Sequence, residues 1–241
     1  MSARRLALAR RHIAPPPRAM SANGRARGAR RVLCLHSFRT SSAILVTQMK
    51  MAKWLDDYAQ DVEFVAIDAP HAASGDVPAE VTAFFGADGG RYEWWNARDD
   101  GGEVSYDGLE ASLRAVQLAC ADAETKGEPF DGIMGFSQGA TLVGIVLGTP
   151  ALAGRFSFAI LVSGMVSRAK ETRHLSLSDV RVPTLHVIGK NDRVMPVAMS
   201  EVLFRKFEQP PATKVTHAGG HSVPRLDEAG EPILRDFLAS L

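Results

Sequence analysis

The sequence predicts an α/β protein: a mostly parallel sheet covered by helices on both faces, in a single compact domain. Three observations predict it. Short apolar runs of strand length alternate with longer amphipathic segments, the order that builds parallel sheets through helical crossovers. Those runs are apolar almost throughout, as strands buried on both faces are. At 241 residues and 46% hydrophobic content, the chain can enclose one sizeable core. No apolar run approaches the length of a membrane span.

"RVLCLH" (31–36) reads as a buried first strand, and "AILVTQMKMAKWLDDYA" follows as a helix with Ile44, Met49, Met51, Trp54 and Leu55 at helical spacing. "VEFVAID" (62–68) is a second strand, stopped by Pro70. A glycine- and aromatic-bearing stretch reaches Tyr106, and "LEASLRAVQLACADAE" is an amphipathic helix. The strand "FDGIMGF" leads into a helix beginning near Gln138. The strands "FAILVSG" and "TLHVIG", the helix "AMSEVLFRKF", the short strand "KVTHA" and the helix "EPILRDFLASL" complete the chain. In such sheets reactive groups collect beyond the carboxyl ends of the strands.

Charge divides the chain in two. Residues 1–30 carry eight arginines and no acid; from Arg31 onward, 20 Lys and Arg face 27 Asp and Glu. The body is therefore acidic by seven charges, which argues against nucleic acid as a partner, because phosphate contacts need clustered cations. Residues 1–30 form a basic leader, broken at Pro15, Pro16 and Pro17, with Leu6, Ala9 and Ile13 on one helical face. It resembles an organelle transit peptide, which would send the protein to a mitochondrion or chloroplast. A disordered tail, or a true start at Met20, is the alternative and implies a cytoplasmic protein. Cys34 and Cys120 read as reduced core residues.

Ser137 stands in Gly-Phe-Ser-Gln-Gly between a strand and a helix. A G-x-S-x-G match alone is weak, but this context is that of a nucleophile elbow, where Gly135 and Gly139 leave room for a strained serine. The bland alternative is a tight turn without chemistry. A serine nucleophile needs a base oriented by a third group. "HAGGHSVP" supplies His221 in a pliable loop, whereas His217, at a strand end, reads as packing. Two glycines between these histidines prevent helical zinc-ligand spacing, and no metal or organic cofactor is implied. "HVIGKNDRVMP" supplies Asp192; its alternative role is to cap the next helix, with Asp179 and Glu171 as fallback acids. The order Ser…Asp…His is that of α/β-hydrolases. Oxyanion donors are expected from the backbone N–H groups of Gln138 and Phe38, with His36 shaping its turn by a structural hydrogen bond.

Taken in order, "RVLCLHSFRT", "AIDAPH", "WWNARDDG", "YDGLEASL", "FDGIMGFSQGA", "LVSG", "HVIGKNDRVMP" and "GGHSVP" resemble the FSH family of serine hydrolases, a branch of the α/β-hydrolase superfamily. The resemblance covers residues 31–241 and leaves the leader outside. It implies the α/β-hydrolase fold, a triad of Ser137, Asp192 and His221, and hydrolysis of carboxylic esters or, in some fungal members, of thioesters on carrier proteins. One position departs: Ser37 stands where the family has glycine, putting the oxyanion turn, and so the rate, in question.

The expected substrate is a small-molecule ester with an apolar acyl chain, cleaved through an acyl-enzyme; a thioester is the close alternative. A catalytically silenced ligand-binding protein on the same fold is the competitor from another class. Phe84, Phe85, Trp94 and Trp95, with Tyr92, are expected either to form a lid over an acyl pocket or to plug the core. An acidic rim of Asp99 and Asp100 would disfavour anionic substrates. The sequence leaves the oligomeric state open.

Overall fold

A computed structural model of the chain describes residues 28–77, 82–83, 85–86, 90–207 and 212–241. Most of the leader thus lies outside the described residues. The fold is built on six strands: β1 (Arg30–Leu35), β2 (Val62–Ile67), β7 (Gly132–Phe136), β8 (Phe158–Val162), β9 (Thr184–Gly189) and β10 (Ala212–His217). They pair in the order β10-β9-β8-β7-β1-β2, parallel throughout. The chain steps outward from β1 to β2, then returns to place β7 on the other flank of β1. That reversal opens a crevice beyond the ends of β1 and β7, the place where such sheets bind ligands.

Alternation along the central strands divides the core into two. Leu33, Leu35, Ile133, Ala159 and Leu161 face one layer, which contains the helices α3 (Leu109–Thr125) and α4 (Gln138–Gly148). Val32, Cys34, Met134, Phe158 and Ile160 face the other, packed by α1 (Ser42–Met51), α2 (Trp54–Asp57) and the last helix (Gly230–Ala239). Burial on both faces is why these strands read as continuous apolar runs. Cys34 and Cys120 are free and belong to opposite layers.

The helix expected over residues 43–59 is two. Lys53 adopts φ 68°, ending the first helix and starting the second, so Trp54 turns inward and donates its indole N–H to Pro224 O at 2.8 Å. Before α3 the described residues form strands that the composition did not suggest. They make the short ladder of β3 (His71–Ala72) with β4 (Tyr92–Glu93) and the hairpin of β5 (Asn96–Asp100) with β6 (Glu103–Asp107). Gly101 and Gly102, at φ 64° and 93°, supply its two-residue turn.

His186, in β9, is 2% exposed and stands edge-on to Phe204 and Phe207. Burial lowers its pKa to about 3. The unfolded chain takes up this proton near pH 6.5 and the native protein does not, so the unfolded state binds more protons between those values. His186 thus leaves stability intact above about pH 6.5 and erodes it progressively as pH falls toward 3. Burial lowers His36 and His217 in the same direction. Replacing His186 with Leu is expected to reduce the proton uptake on unfolding by about one near pH 5. Urea titrations of both proteins across that range measure the slope, and an unchanged slope would refute this assignment.

Candidate active site

The elbow is built by close approach. A Cβ on Gly139 would collide with the carbonyl oxygens of Leu35 and His36, and one on Gly135 with the backbone of Gly139. Glycine at both positions lets α4 press against the end of β1. Between them Ser137 adopts φ 57° and ψ −112°, a strained conformation for a residue with a side chain. Its N–H donates to Val162 O at 2.9 Å, and its carbonyl accepts from Thr141 N at 3.0 Å.

Two loops converge on this serine. Ser137 Oγ lies 2.9 Å from His221 Nε2, and His221 Nδ1 lies 2.8 Å from Asp192 Oδ2. The other oxygen, Asp192 Oδ1, accepts from the N–H groups of Val194 at 2.9 Å and Met195 at 2.7 Å. The carboxylate therefore shapes its own turn with one oxygen and faces the imidazole with the other. It does not cap the following helix, which starts at Val197. The loops that carry Asp192 and His221 are also laced directly: Lys190 N–H donates to His217 O, Asn191 N–H to Gly219 O, and Asn191 Nδ2 to Ala218 O. A Cβ on Gly189 would crowd the carbonyl oxygens of Gly219 and Gly220, so glycine here permits that lacing.

His217 is buried, and its Nδ1 accepts from Gly219 N; it is His221, not His217, that meets Ser137. Asp179 and Glu171 lie in exposed 3-10 turns and do not meet His221. His36 Nε2 accepts from Ala69 N at 3.0 Å, so its proton sits on Nδ1, which donates to Ser37 O at 2.8 Å. With its basic nitrogen occupied, His36 ties the loop after β1 to the end of β2.

Ser37 is accommodated in that loop. Its φ is not in the left-handed region, so glycine is not required for its backbone. Thr40 Oγ1 donates to Ser37 O at 2.8 Å, and Ser37 Oγ lies 3.2 Å from Thr40 Oγ1, which leaves Ser37 as the donor of that pair. The Ser37 proton is thereby used within the turn. The Phe38 ring lies 4.6 Å from the Arg39 guanidinium, itself paired with buried Glu93 at 3.1 Å. Neither the Phe38 nor the Gln138 N–H has a protein acceptor among the described residues.

A cavity of about 610 Å³ opens on Ser137 and His221, within the range of small-molecule sites. Phe38, Met51, Phe85, Phe136, Val194 and Val223 supply its apolar wall. Of the two phenylalanines expected in a lid, Phe85 lines this cavity and Phe84 lies outside the described residues. Trp94 and Trp95 do not line it. They are 0% and 4% exposed and act as a brace. Gln138 accepts from Trp94 N at 3.0 Å and donates to Trp95 O at 2.9 Å, Trp94 Nε1 donates to His36 O at 2.8 Å, and Trp95 stacks on Tyr106 at 4.5 Å. The pair joins the elbow to the loop after β1 from behind. Asp99 and Asp100 also lie elsewhere, exposed on the β5–β6 hairpin. Among the described residues, the charged ones in the lining are instead Arg193 and Arg225, each within four positions of Asp192 or His221, a proximity visible in the sequence.

Residues 26–233 match the family described as Serine hydrolase (FSH1). The chain belongs to this serine hydrolase family. Among its relatives, Esterase CG5412 of Drosophila melanogaster is 33% identical over 219 residues, covering 86% of this chain and 73% of that protein. Esterase OVCA2 of Danio rerio is 34% identical over 215 residues, covering 80% and 90%. Solved structures agree on the fold: a carboxylesterase from Mesorhizobium loti superposes with TM-score 0.62 at 18% identity, covering 88% of this chain and 89% of that one. Esterase PE8 superposes at 0.60 with 21% identity, covering 92% and 96%. The chain thus has the α/β-hydrolase fold of a family of serine hydrolases. No helix among its described residues is long and apolar enough to cross a membrane.

Proposed function

We propose that this serine hydrolase cleaves carboxylic esters with an apolar acyl chain through an acyl-enzyme. The observation that carries the proposal is the hydrogen-bonded run Asp192–His221–Ser137 opening onto an apolar cavity. Ser137 Oγ attacks the carbonyl carbon while His221 Nε2 takes its proton. The Phe38 and Gln138 N–H groups, at the end of β1 and the start of α4, donate to the oxyanion. When the C–O bond breaks, His221 returns the proton to the leaving alcohol. Water, deprotonated by His221, then attacks the acyl carbon and frees Ser137 and the acid. Asp192 holds Nδ1–H, fixing the tautomer that leaves Nε2 free to accept. A thioester carbonyl would meet the same groups, so the acyl chain is what this cavity selects.

The test is a rate profile on p-nitrophenyl esters from acetate to palmitate. We expect kcat/KM to rise with chain length as methylenes enter the cavity, by roughly two- to fourfold for each one buried, from about 0.8 kcal/mol apiece. A profile that falls steadily from acetate would refute the apolar acyl pocket.

A further inference from the structure

Among the described residues, the lining of the cavity is charged in one sense only: Arg193 and Arg225 both contribute to it, and no described carboxylate does. Asp192, the acid beside Arg193, has a side chain only 1% exposed, with Oδ2 facing His221 and Oδ1 taken by two backbone N–H groups. Asp227, two residues past Arg225, turns its Oδ1 to the N–H groups of Ala229 and Gly230 at the start of the last helix. Neither guanidinium makes an ion pair among the described residues, although the body beyond Arg30 is acidic by seven charges. Among the described residues, the mouth of the cavity is thus cationic within an acidic body.

The backbone beneath both arginines is fixed. Arg193 lies inside the turn that Asp192 Oδ1 closes, and Arg225 follows Pro224, whose carbonyl holds the Trp54 indole. Beside them Met51 and Val194, each 64% exposed, carry the apolar wall out to the surface. Cations beside an apolar channel suit a ligand with an aliphatic part and an anionic part, and guanidinium forks match carboxylate and phosphate oxygens alike.

We infer that the preferred substrate is an anionic amphiphile: an acyl ester bearing a carboxylate or phosphate that Arg193 and Arg225 hold while the ester carbonyl reaches Ser137. This rests on the hydrolytic reading above and adds the charge of the substrate to it. The anion has two possible sources, the far end of the acyl chain or the alcohol.

Two matched pairs separate them. The first is p-nitrophenyl octanoate against the mono-p-nitrophenyl ester of the dicarboxylic acid of equal length; the second is octanoylglycerol against octanoylglycerol 3-phosphate. We expect the charged member of at least one pair to be preferred about tenfold in kcat/KM, the scale of one charge-assisted hydrogen bond. Added salt should reduce that ratio. The double substitution Arg193→Gln with Arg225→Gln should bring it close to one, and the corresponding pair of Lys substitutions should retain most of it. Preference in the first pair puts the anion on the acyl chain, and preference in the second puts it on the alcohol. Turnover of the neutral members without preference for either charged one, or a preference that survives the Gln pair, would overturn this inference alone. No turnover of any member, with no labelling by a fluorophosphonate, would overturn the hydrolytic reading and this one with it.

Discussion

Replacing Ser137 with Ala is expected to lower ester turnover by roughly four to six orders of magnitude, because in the proposed mechanism it removes the nucleophile and leaves only binding and oxyanion stabilisation. The same change should abolish labelling by a fluorophosphonate. It should hardly disturb the fold. Among the described residues the Ser137 hydroxyl bonds to His221 alone, and the strained φ of 57° is as costly for alanine as for serine. Removal of that bond changes stability by about 1 kcal/mol or less. Turnover, labelling and a urea midpoint on one preparation make the test. Clean Ser137→Ala protein that keeps a tenth of the parent activity would end the assignment of Ser137 as nucleophile.

The tight turn at Ser137 was legible because its constraints are local. A serine between two glycines, after a buried strand and before a helix, is constrained by its immediate neighbours, and the collisions at Gly135 and Gly139 are the physical form of that constraint. Asp192 and His221 were legible for a different reason. Each follows a strand of a parallel sheet, so each had to emerge at the same end as Ser137. Only the folded chain brings them within hydrogen-bond distance.

What the sequence concealed was direction. Trp94 and Trp95 sit in a run rich in aromatics and turns, and nothing in that run says which way the rings point. Their direction is set by Gln138, distant in sequence, which clamps their backbone to the elbow. The β5–β6 hairpin escaped for lack of pattern: β5 is exposed along its whole length, so no apolar alternation marks it, and only the Gly101–Gly102 turn announces it. The break at Lys53 carries no glycine or proline to signal it. Arg193 and Arg225 were overlooked because an arginine in a loop reads as solvated; the cavity wall is what gives the two a common target.

Asp192→Asn tests the orientation of the proposed base, His221, rather than its presence. Asp192 Oδ1 accepts from two backbone N–H groups, so the amide that replaces the carboxylate can turn only its NH₂ toward His221 without losing both bonds. The opposite flip would leave two N–H groups facing a donor, at about 1–3 kcal/mol each, against one unfavourable contact the other way. His221 then meets a donor at Nδ1 and moves its proton to Nε2. That proton points at Ser137 Oγ, 2.9 Å away, and the imidazole can no longer take the serine proton. We expect kcat to fall by about 10³–10⁴ with KM little changed, a smaller loss than that of His221→Ala, which removes the base altogether. Labelling by a fluorophosphonate should slow in parallel, because it needs the same proton transfer. An Asp192→Asn variant with parent-like kcat would show that another acid orients His221, although Asp179 and Glu171 lie in exposed turns that do not meet it.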